Sequence, residues 1–462
     1  MALEGPSVSL GSLARNEYLP PWNRPHIIGI AGSSGSGKTS VASQIIKALN
    51  VPWTVILSFD NFYRPLSPAQ REVAFANEFD FDAPKALDID MVVDILHNLR
   101  EGKKVEIPVY SFALHNRIEA TTTIYGANVI ILEGIYSLFD SRILEMLDLK
   151  IFVDTDLDIC MARRLRRDII ERGRDLQGAM KQWFSFVKPN FQKFVLPTME
   201  NADVVVPRGL DNVVAIDMLI RHVQRTLVAK SRKHLEFLGR LCENSDDEVE
   251  NTELDLDKYA NVQVLKQSTQ VEAMHTILFN RATSREDFVF HFERLMSLLI
   301  ELAMNTVPYC MKTVTTATGM EYSGLEISKQ VCAVSILRAG ACFENSLRSI
   351  LPAIAIGKLL IQSDSRTGEP FLHYLKLPPK IEEKYILLVD AQATTGAAAI
   401  MAIRILLDHD VQQEDICFVT YLADKNVAIR RILAAYPKIN VAVGKVEDQI
   451  KQRFIDTQYF GT

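Results

Sequence analysis

The chain contains the stretch Gly32-Ser33-Ser34-Gly35-Ser36-Gly37-Lys38-Thr39, and this stretch decides the fold of its N-terminal half. It has the full G-x-x-x-x-G-K-[ST] pattern of a phosphate-binding loop. The apolar run at residues 27–31 predicts a strand before it, and residues 41–49 predict a helix after it. Glycines let the backbone bend so that successive N–H groups and the helix N-terminus face an anion. The sequence therefore predicts an ATP-binding loop, and a flexible Gly/Ser turn is the alternative.

Two side chains of this loop bring their own chemistry. Lys38 is expected to reach the β- and γ-phosphates of ATP, and the hydroxyl of Thr39 can bind Mg²⁺. ATP and Mg²⁺ are therefore the predicted cofactors, held by the loop from Gly32 to Thr39. Such a loop also occurs in GTPases and motor ATPases, but the chain has no N-K-x-D sequence, which would read guanine. The reaction must be inferred from residues further along the chain.

Two carboxylates follow predicted strands. Asp60 comes after the run at residues 55–59, and Glu133 comes after residues 128–132. Open α/β proteins build their sites at the carboxyl ends of such strands. Asp60 can there accept the proton of a substrate hydroxyl, and Glu133 is expected to help hold the metal. A turn or helix N-cap is the alternative role of Asp60.

A cluster of arginines follows in a predicted helix and the loop after it. Its members are Arg163, Arg164, Arg166, Arg167, Arg172 and Arg174. Arg163 and Arg167 share one face of a helix, and the planar guanidinium group can neutralise charge on a phosphoryl group in transfer. We therefore expect a mobile lid, with Arg167 as a catalytic residue and Arg172 as an ATP ligand. A solvated basic face or a localisation signal is the alternative.

The composition argues against several classes of protein. The 462 residues are 48% hydrophobic and 23% charged, which predicts two globular domains. A net charge of -6 argues against a general nucleic-acid binder. The six cysteines lack metal-ligand spacing and are expected to be reduced. No apolar run is long enough to cross a bilayer, so we expect a protein of the cytoplasm, with the nucleus left open, that binds no membrane.

We expect four segments along the chain. These are a flexible tail at residues 1–24, a P-loop domain at 25–229, an acidic linker at 230–258 and a second α/β domain at 259–462. Strand-like and helical stretches alternate in the first domain, which predicts a parallel sheet covered by helices. The second domain is expected to be a further α/β unit. The linker is predicted from residues 242–257, which are acidic and poor in apolar side chains.

Residues 26–228 resemble the uridine-cytidine kinase family. The resemblance lies in residues 32–39, 57–63, 79–84, 107–112, 132–134, 152–156, 168–175, 186–189 and 202–208, together with His115 and Arg117. It implies an α/β P-loop kinase that phosphorylates uridine or cytidine, giving UMP or CMP in pyrimidine salvage.

The resemblance also implies roles for single residues. Asp60 would be the base for the 5′-hydroxyl of the nucleoside, and Asp82 would bind the ribose hydroxyls. Tyr110 and His115 would read the pyrimidine, and Phe112 would pack against it. The nucleoside pocket would further be lined by Arg164, Arg174 and Gln182. These roles suit the groups involved, because a carboxylate accepts from a diol and an imidazole both donates and accepts.

Residues 259–462 resemble a uracil phosphoribosyltransferase, which has a type I phosphoribosyltransferase fold. The resemblance lies in residues 335–340, 368–378, 386–396 and 460–462. It implies that Asp390 would meet the ribose hydroxyls of phosphoribosyl pyrophosphate and that Arg338 would face the pyrophosphate. Backbone N–H groups at residues 394–396 would hold the 5′-phosphate.

Two departures from that pattern argue against transferase activity. Ala397, Ala398 and Ala399 lack the usual phosphate-binding hydroxyl, and residues 452–459 replace the usual uracil-binding loop. We therefore expect this domain to be a non-catalytic scaffold. We also expect the protein to form a homo-oligomer and to bind a pyrimidine nucleotide as an effector. One alternative is a bifunctional enzyme that also makes UMP from uracil and phosphoribosyl pyrophosphate. The other is a nucleotide-binding regulator without enzymatic activity.

Overall fold

The computed structural model describes residues 20, 22–49, 54–112, 114–170, 175–240, 255–363, 370–448, 450 and 452–461. The chain divides into two compact units, one within residues 21–231 and one within residues 232–462. Among the described residues, no helix combines the length and the apolar character that a membrane span requires.

The first unit is built around a parallel sheet. Its strands are β1 (His26–Gly32), β2 (Thr54–Ser58), β3 (Val105–Ser111), β4 (Asn116–Ile124), β5 (Val129–Glu133), β6 (Leu149–Asp154) and β7 (Val204–Pro207). Five of them form the sheet in the order β2-β5-β1-β6-β7, and β3 and β4 form a separate antiparallel hairpin.

Helices surround this sheet. They are α1 (Lys38–Leu49), α2 (Pro68–Phe75), α3 (Ile89–Arg100), α4 (Ser141–Leu144), α5 (Leu157–Ile170), α6 (Leu176–Gln182), α7 (Lys188–Asn190) and α8 (Val213–Arg240). Two π-helical segments, Trp183–Val187 and Phe191–Val195, flank α7.

The sequence of β1 shows why helices cover both faces of the sheet. Ile27 and Ala31 belong to one hydrophobic core, whereas Ile28 and Ile30 belong to another. Successive side chains of a strand point to opposite faces, so an uninterrupted apolar strand needs a cover on each side. Helix α3 contributes to the first core, and α1 and α8 contribute to the second.

At both ends of the first unit, ordered structure continues beyond the domain bounds that the composition predicts. Trp22 falls within the predicted tail, yet it is buried, and its ring lies edge-on to Tyr125. Helix α8 continues to Arg240, past residue 231 at which the first unit ends and into the segment predicted as a linker. An i,i+4 ion pair between Arg232 and Glu236 supports this last part of the helix. Residues 1–19, 21 and 241–254 lie outside the described residues.

The second unit also has an α/β architecture. Its strands are β8 (Val262–Val264), β9 (Tyr309–Thr315), β10 (Glu321–Ile327), β11 (Val331–Leu337), β12 (Ala355–Ser363), β13 (Pro370–Lys376), β14 (Tyr385–Ala393), β15 (Ile416–Asp424) and β16 (Asn440–Glu447). Its helices are α9 (Thr269–Phe279), α10 (Arg285–Met304), α11 (Glu344–Ile350), α12 (Ala397–Leu407), α13 (Arg430–Ala435) and α14 (Ile455–Phe460).

Seven of these strands form one sheet in the order β13-β12-β11-β14-β15-β16-β8. All pairs are parallel except β12 with β13, and β9 and β10 form a separate hairpin. The predicted α/β fold is therefore confirmed in both units, with a parallel sheet in the first and a mixed sheet in the second.

The turn between β1 and α1 needs glycine at two positions. Gly32 has a φ of +145° and Gly35 a φ of +86°. A Cβ atom on Gly32 would lie 2.4 Å from the carbonyl oxygen of Val153, and one on Gly35 would lie 2.3 Å from that of Cys160. Any side chain at Gly32 or Gly35 would therefore force the backbone of Val153 or Cys160 to move.

Substitution Gly35→Ala should destabilise the first unit through this contact. We expect the midpoint of its thermal unfolding to fall by more than about 6 °C, because the added methyl group meets backbone as well as an unfavourable φ. The matched control is Gly102→Ala, where φ is +78° but the nearest atom would lie 3.5 Å away. Differential scanning calorimetry measures both, and equal effects of the two substitutions would contradict the steric argument.

Candidate active site

Lys38 is the first residue of α1 and is buried at the turn. Its Nζ donates a hydrogen bond of 2.9 Å to the carbonyl oxygen of Ser33. Burial lowers the pKa of Lys38, while the carboxylates of Glu133 and Asp60 act in the opposite direction. The ammonium group is thus held inside the loop, where an anionic ligand would be its natural counter-charge.

Glu133 joins the ends of two strands to the loop. It is the last residue of β5 and lies opposite Ser58, the last residue of β2. Its Oε1 accepts a hydrogen bond of 2.8 Å from Ser58 Oγ, and its Oε2 accepts one of 3.1 Å from Thr39 Oγ1. The predicted pair of oxygen ligands, Thr39 and Glu133, is therefore brought together.

This donor set fits Mg²⁺. Within the described parts of the chain, no group of three or more His, Cys, Asp and Glu side chains could hold a metal. Mg²⁺ is usually held by one or two protein oxygens together with phosphates and water. The hydroxyl of Thr39 and the carboxylate of Glu133 match that requirement.

Asp60 lies in the 3-10 turn Phe59–Phe62 that follows β2. The N-cap of this turn is Ser58, whose Oγ accepts a hydrogen bond of 3.4 Å from the N–H of Asp60. Ser58 therefore caps this turn, and Asp60 lies within the turn, as the alternative from the sequence describes. Asp60 also lines a cavity that it shares with Lys38.

One cavity of about 540 Å³ brings most of the predicted site residues together. The predicted residues that line it are Ser34, Gly35, Gly37, Lys38, Thr39, Asp60, Asp82, Tyr110, Phe112, His115, Glu133, Arg164, Arg167 and Gln182. Gly32, Ser33 and Ser36 belong to the loop but do not line the cavity. Arg172 and Arg174 lie outside the described residues.

Asp82 and Arg164 form a buried ion pair in this cavity. Nη1 and Nη2 of Arg164 lie 3.2 and 3.4 Å from Oδ1 and Oδ2 of Asp82, so the contact is bidentate. Nε of Arg164 lies 3.5 Å from Oδ2 of Asp168, which is also buried. The hydroxyl of Tyr136 donates to the carbonyl oxygen of Asp82. These contacts fix the direction of the Asp82 carboxylate.

Aromatic rings form one wall of the cavity. The ring of His115 stacks on Phe81 with a centroid distance of 5.1 Å and an interplanar angle of 23°. Tyr63 contacts Phe81 at 5.8 Å and Tyr110 at 5.0 Å, and Tyr110 contacts Phe112 at 5.3 Å. Such a wall suits a planar heteroaromatic ligand with polar edges.

The sequence patterns assign no role to Tyr63 and Phe81, although both line the cavity. A signal was available, because each aromatic residue lies within three positions of a predicted carboxylate, Asp60 or Asp82. The sequence patterns also do not single out Asp168 as a partner of Arg164. Asp168 accepts a second contact, from Arg167, whose Nε lies 3.3 Å from Oδ1 of Asp168.

The second unit holds its own charged pairs at the carboxyl ends of β11 and β14. Asp390 in β14 is buried, and its Oδ2 lies 3.6 Å from Nη2 of Arg453. Burial raises the pKa of Asp390, and the Arg453 guanidinium opposes that shift. Arg338 follows β11, and its Nη2 lies 3.2 Å from Oδ2 of Asp456.

Comparison with known proteins agrees with this two-part organisation. Residues 27–215 match the Phosphoribulokinase / Uridine kinase family, and residues 264–458 match Uracil phosphoribosyltransferase.

Several relatives match over nearly the full chain, among them three named as uridine or uridine-cytidine kinases. "Uridine kinase" of Saccharomyces cerevisiae is 47% identical, over 96% of this chain and 90% of that protein. "Uridine-cytidine kinase-like 1" of Mus musculus is 43% identical, over 96% and 82%. "Uridine-cytidine kinase A" of Dictyostelium discoideum is 40% identical, over 96% and 88%. The chain therefore belongs to the uridine kinase family and carries, after its phosphate-loop unit, a region that matches uracil phosphoribosyltransferase.

Proposed function

We propose that this enzyme transfers the γ-phosphoryl group of ATP to the 5′-hydroxyl of uridine or cytidine, giving UMP or CMP for pyrimidine salvage. The observation that carries the proposal is a single cavity with the phosphate loop at one side and an aromatic wall at another. Asp60 lines the same cavity, so a carboxylate is available where the two substrates would meet. The names of the relatives support pyrimidine nucleosides as substrates.

The phosphate loop would hold the triphosphate. Backbone N–H groups at the start of α1 would face its oxygens, and Lys38 would exchange its bond to the Ser33 carbonyl for the β- and γ-phosphates. Thr39 and Glu133 would hold Mg²⁺, which neutralises charge on the phosphates when bound. Lys38 would stabilise the ground state and the transition state alike.

Asp60 would act as the general base. Its carboxylate would accept the proton of the 5′-hydroxyl as the oxygen attacks the γ-phosphorus and the bond to the β-phosphate oxygen breaks. Arg167 lines the cavity and would neutralise charge on the transferring group. Arg172 as an ATP ligand and Arg174 as a nucleoside ligand stay predictions from the sequence.

The opposite side of the cavity would bind the nucleoside. Asp82, oriented by Arg164, keeps acceptor capacity for the ribose hydroxyls, because each carboxylate oxygen has two lone pairs. His115 and Tyr110 would read the polar edge of the base, and Phe112 would pack on its face. Gln182 is buried at the same cavity and would add a further polar contact.

Substitution Asp60→Asn should lower turnover by about 10²–10⁴-fold, because it removes the proton acceptor and keeps the shape of the side chain. ATP affinity should stay close to that of the parent. The matched control is Asp94→Asn, an exposed carboxylate on α3. Steady-state kinetics and ATP titration measure both variants, and a turnover of Asp60→Asn within about fivefold of the parent would exclude Asp60 as base.

We further propose that the second unit is a non-catalytic scaffold. By the resemblance to uracil phosphoribosyltransferase, Asp390 and Arg338 would bind phosphoribosyl pyrophosphate. Here Asp390 pairs with Arg453, and Arg338 pairs with Asp456, all within the same chain. Gln392 donates from Nε2 to the carbonyl oxygen of Gln452 at 2.9 Å, which holds the same segment beside β14. These contacts support a site in which Asp390 and Arg338 each already have a partner of opposite charge in the same chain. A homo-oligomer and a pyrimidine nucleotide effector stay predictions.

The full-length protein should therefore form no UMP from uracil and phosphoribosyl pyrophosphate. A coupled pyrophosphate assay and chromatography of uracil-labelled products measure this, with nucleoside phosphorylation by the same preparation as the positive control. Formation of UMP that is lost in Asp390→Ala would instead make the protein a bifunctional enzyme.

A further inference from the structure

Phe75 is an exposed aromatic residue next to the proposed nucleoside pocket. It is the last residue of α2, and 60% of it is exposed. Its ring lies edge-on to His115, with a centroid distance of 5.0 Å and an interplanar angle of 72°. Phe75 itself does not line the cavity, whereas His115 does. Its ring contact with His115 therefore links it to the cavity.

A role of Phe75 in the hydrophobic core does not explain this position. Within α2, Ala74 is the buried residue, and the helix is held at its start by a capping box between Ser67 and Gln70. A side chain that is more than half exposed gains little free energy from the removal of apolar surface from water. What Phe75 does cover is the imidazole ring of His115.

His115 is buried and has an unusual backbone conformation. It has a φ of +47°, a region that non-glycine residues seldom occupy, and it is only 8% exposed. Phe81 supports the ring by stacking from the cavity wall. Phe75 adds a second ring contact from a different element, and two such contacts restrict rotation of the imidazole.

The residues after Phe75 connect to a second cavity residue. Asn77 accepts a hydrogen bond of 3.4 Å at Oδ1 from Nε2 of Gln182. Glu78 accepts one of 3.0 Å from Nζ of Lys181, the neighbour of Gln182 on α6. Residues 75–78 therefore contact two side chains of the proposed nucleoside pocket. Phe75 contacts His115 through its ring, and Asn77 contacts Gln182 through a hydrogen bond.

We propose that residues 75–78 position the pocket for the nucleoside and that Phe75 is the positioning residue of His115. This proposal rests on the proposed function, since it assumes that His115 reads the pyrimidine. A ring held in its binding orientation loses less conformational freedom when the ligand binds. Because Phe75 contacts His115 and is not part of the phosphate loop, its effect is expected on nucleoside binding rather than on ATP binding.

Substitution Phe75→Ala should raise the Michaelis constant for uridine and cytidine by about three- to tenfold, the range expected for loss of one aromatic pair. The Michaelis constant for ATP and the turnover at saturating nucleoside should stay within about twofold of the parent. Phe75→Tyr keeps the ring and should restore the parent values. The matched control is Val73→Ala, since Val73 lies on the same helix and is 42% exposed.

A spectroscopic measurement separates positioning from general loss of structure. The ring signals of His115 in protein labelled with ¹³C-histidine should shift in Phe75→Ala, because the ring current of Phe75 is lost, and should stay unchanged in Val73→Ala. His115→Asn assigns those signals among the nine histidines.

The outcomes distinguish this proposal from the proposed function. An active parent whose nucleoside Michaelis constant is the same in Phe75→Ala would overturn the positioning role, as would equal increases for ATP and nucleoside. A parent that phosphorylates no nucleoside would overturn the proposed function, and with it the assignment of His115 on which this inference rests.

Discussion

The structure of the first unit depends on close backbone packing at the end of β1. The phosphate loop lies directly against the carbonyl oxygens of Val153 and Cys160, at positions where a Cβ atom cannot fit. Thr155 Oγ1 donates a hydrogen bond of 3.1 Å to the carbonyl oxygen of Ser36, which ties the loop to the end of β6. The same contact region leads into α5, which carries the arginines. The loop that would bind phosphate and the helix that would neutralise its charge are thus fixed to one another by main-chain contact.

The same constraint explains which features follow from local sequence. The phosphate loop, the apolar strand before it and the helix after it are specified by consecutive residues, and the structure has them at the predicted positions. Strand positions such as β5 and β14 were predictable for the same reason, since their buried runs are continuous in the sequence. The ends differ by one to several residues, because strand ends depend on neighbouring strands.

Features that depend on contacts between distant residues were harder to predict from the sequence. Asp82 and Arg164 are 82 positions apart, and the family resemblance implies a nucleoside-binding role for each without showing that they pair. The aromatic wall joins Tyr63, Phe81 and Tyr110 across separate elements. Trp22 is buried although its neighbours Pro20 and Pro21 suggested a loose tail, since burial against Tyr125 is a tertiary contact. Family resemblance supplied roles for several of these residues that local pattern could not supply.

The central claim is that one cavity joins ATP at the phosphate loop to a pyrimidine nucleoside at the aromatic wall. The most direct measurement incubates the full-length protein with ATP, Mg²⁺ and uridine or cytidine, and identifies the products by mass spectrometry and ³¹P NMR, with Lys38→Ala as the inactive control. The account predicts one ADP for each nucleoside 5′-monophosphate formed, and neither product from Lys38→Ala. Release of ADP that does not depend on the nucleoside, or phosphate at a 2′- or 3′-hydroxyl, would contradict it.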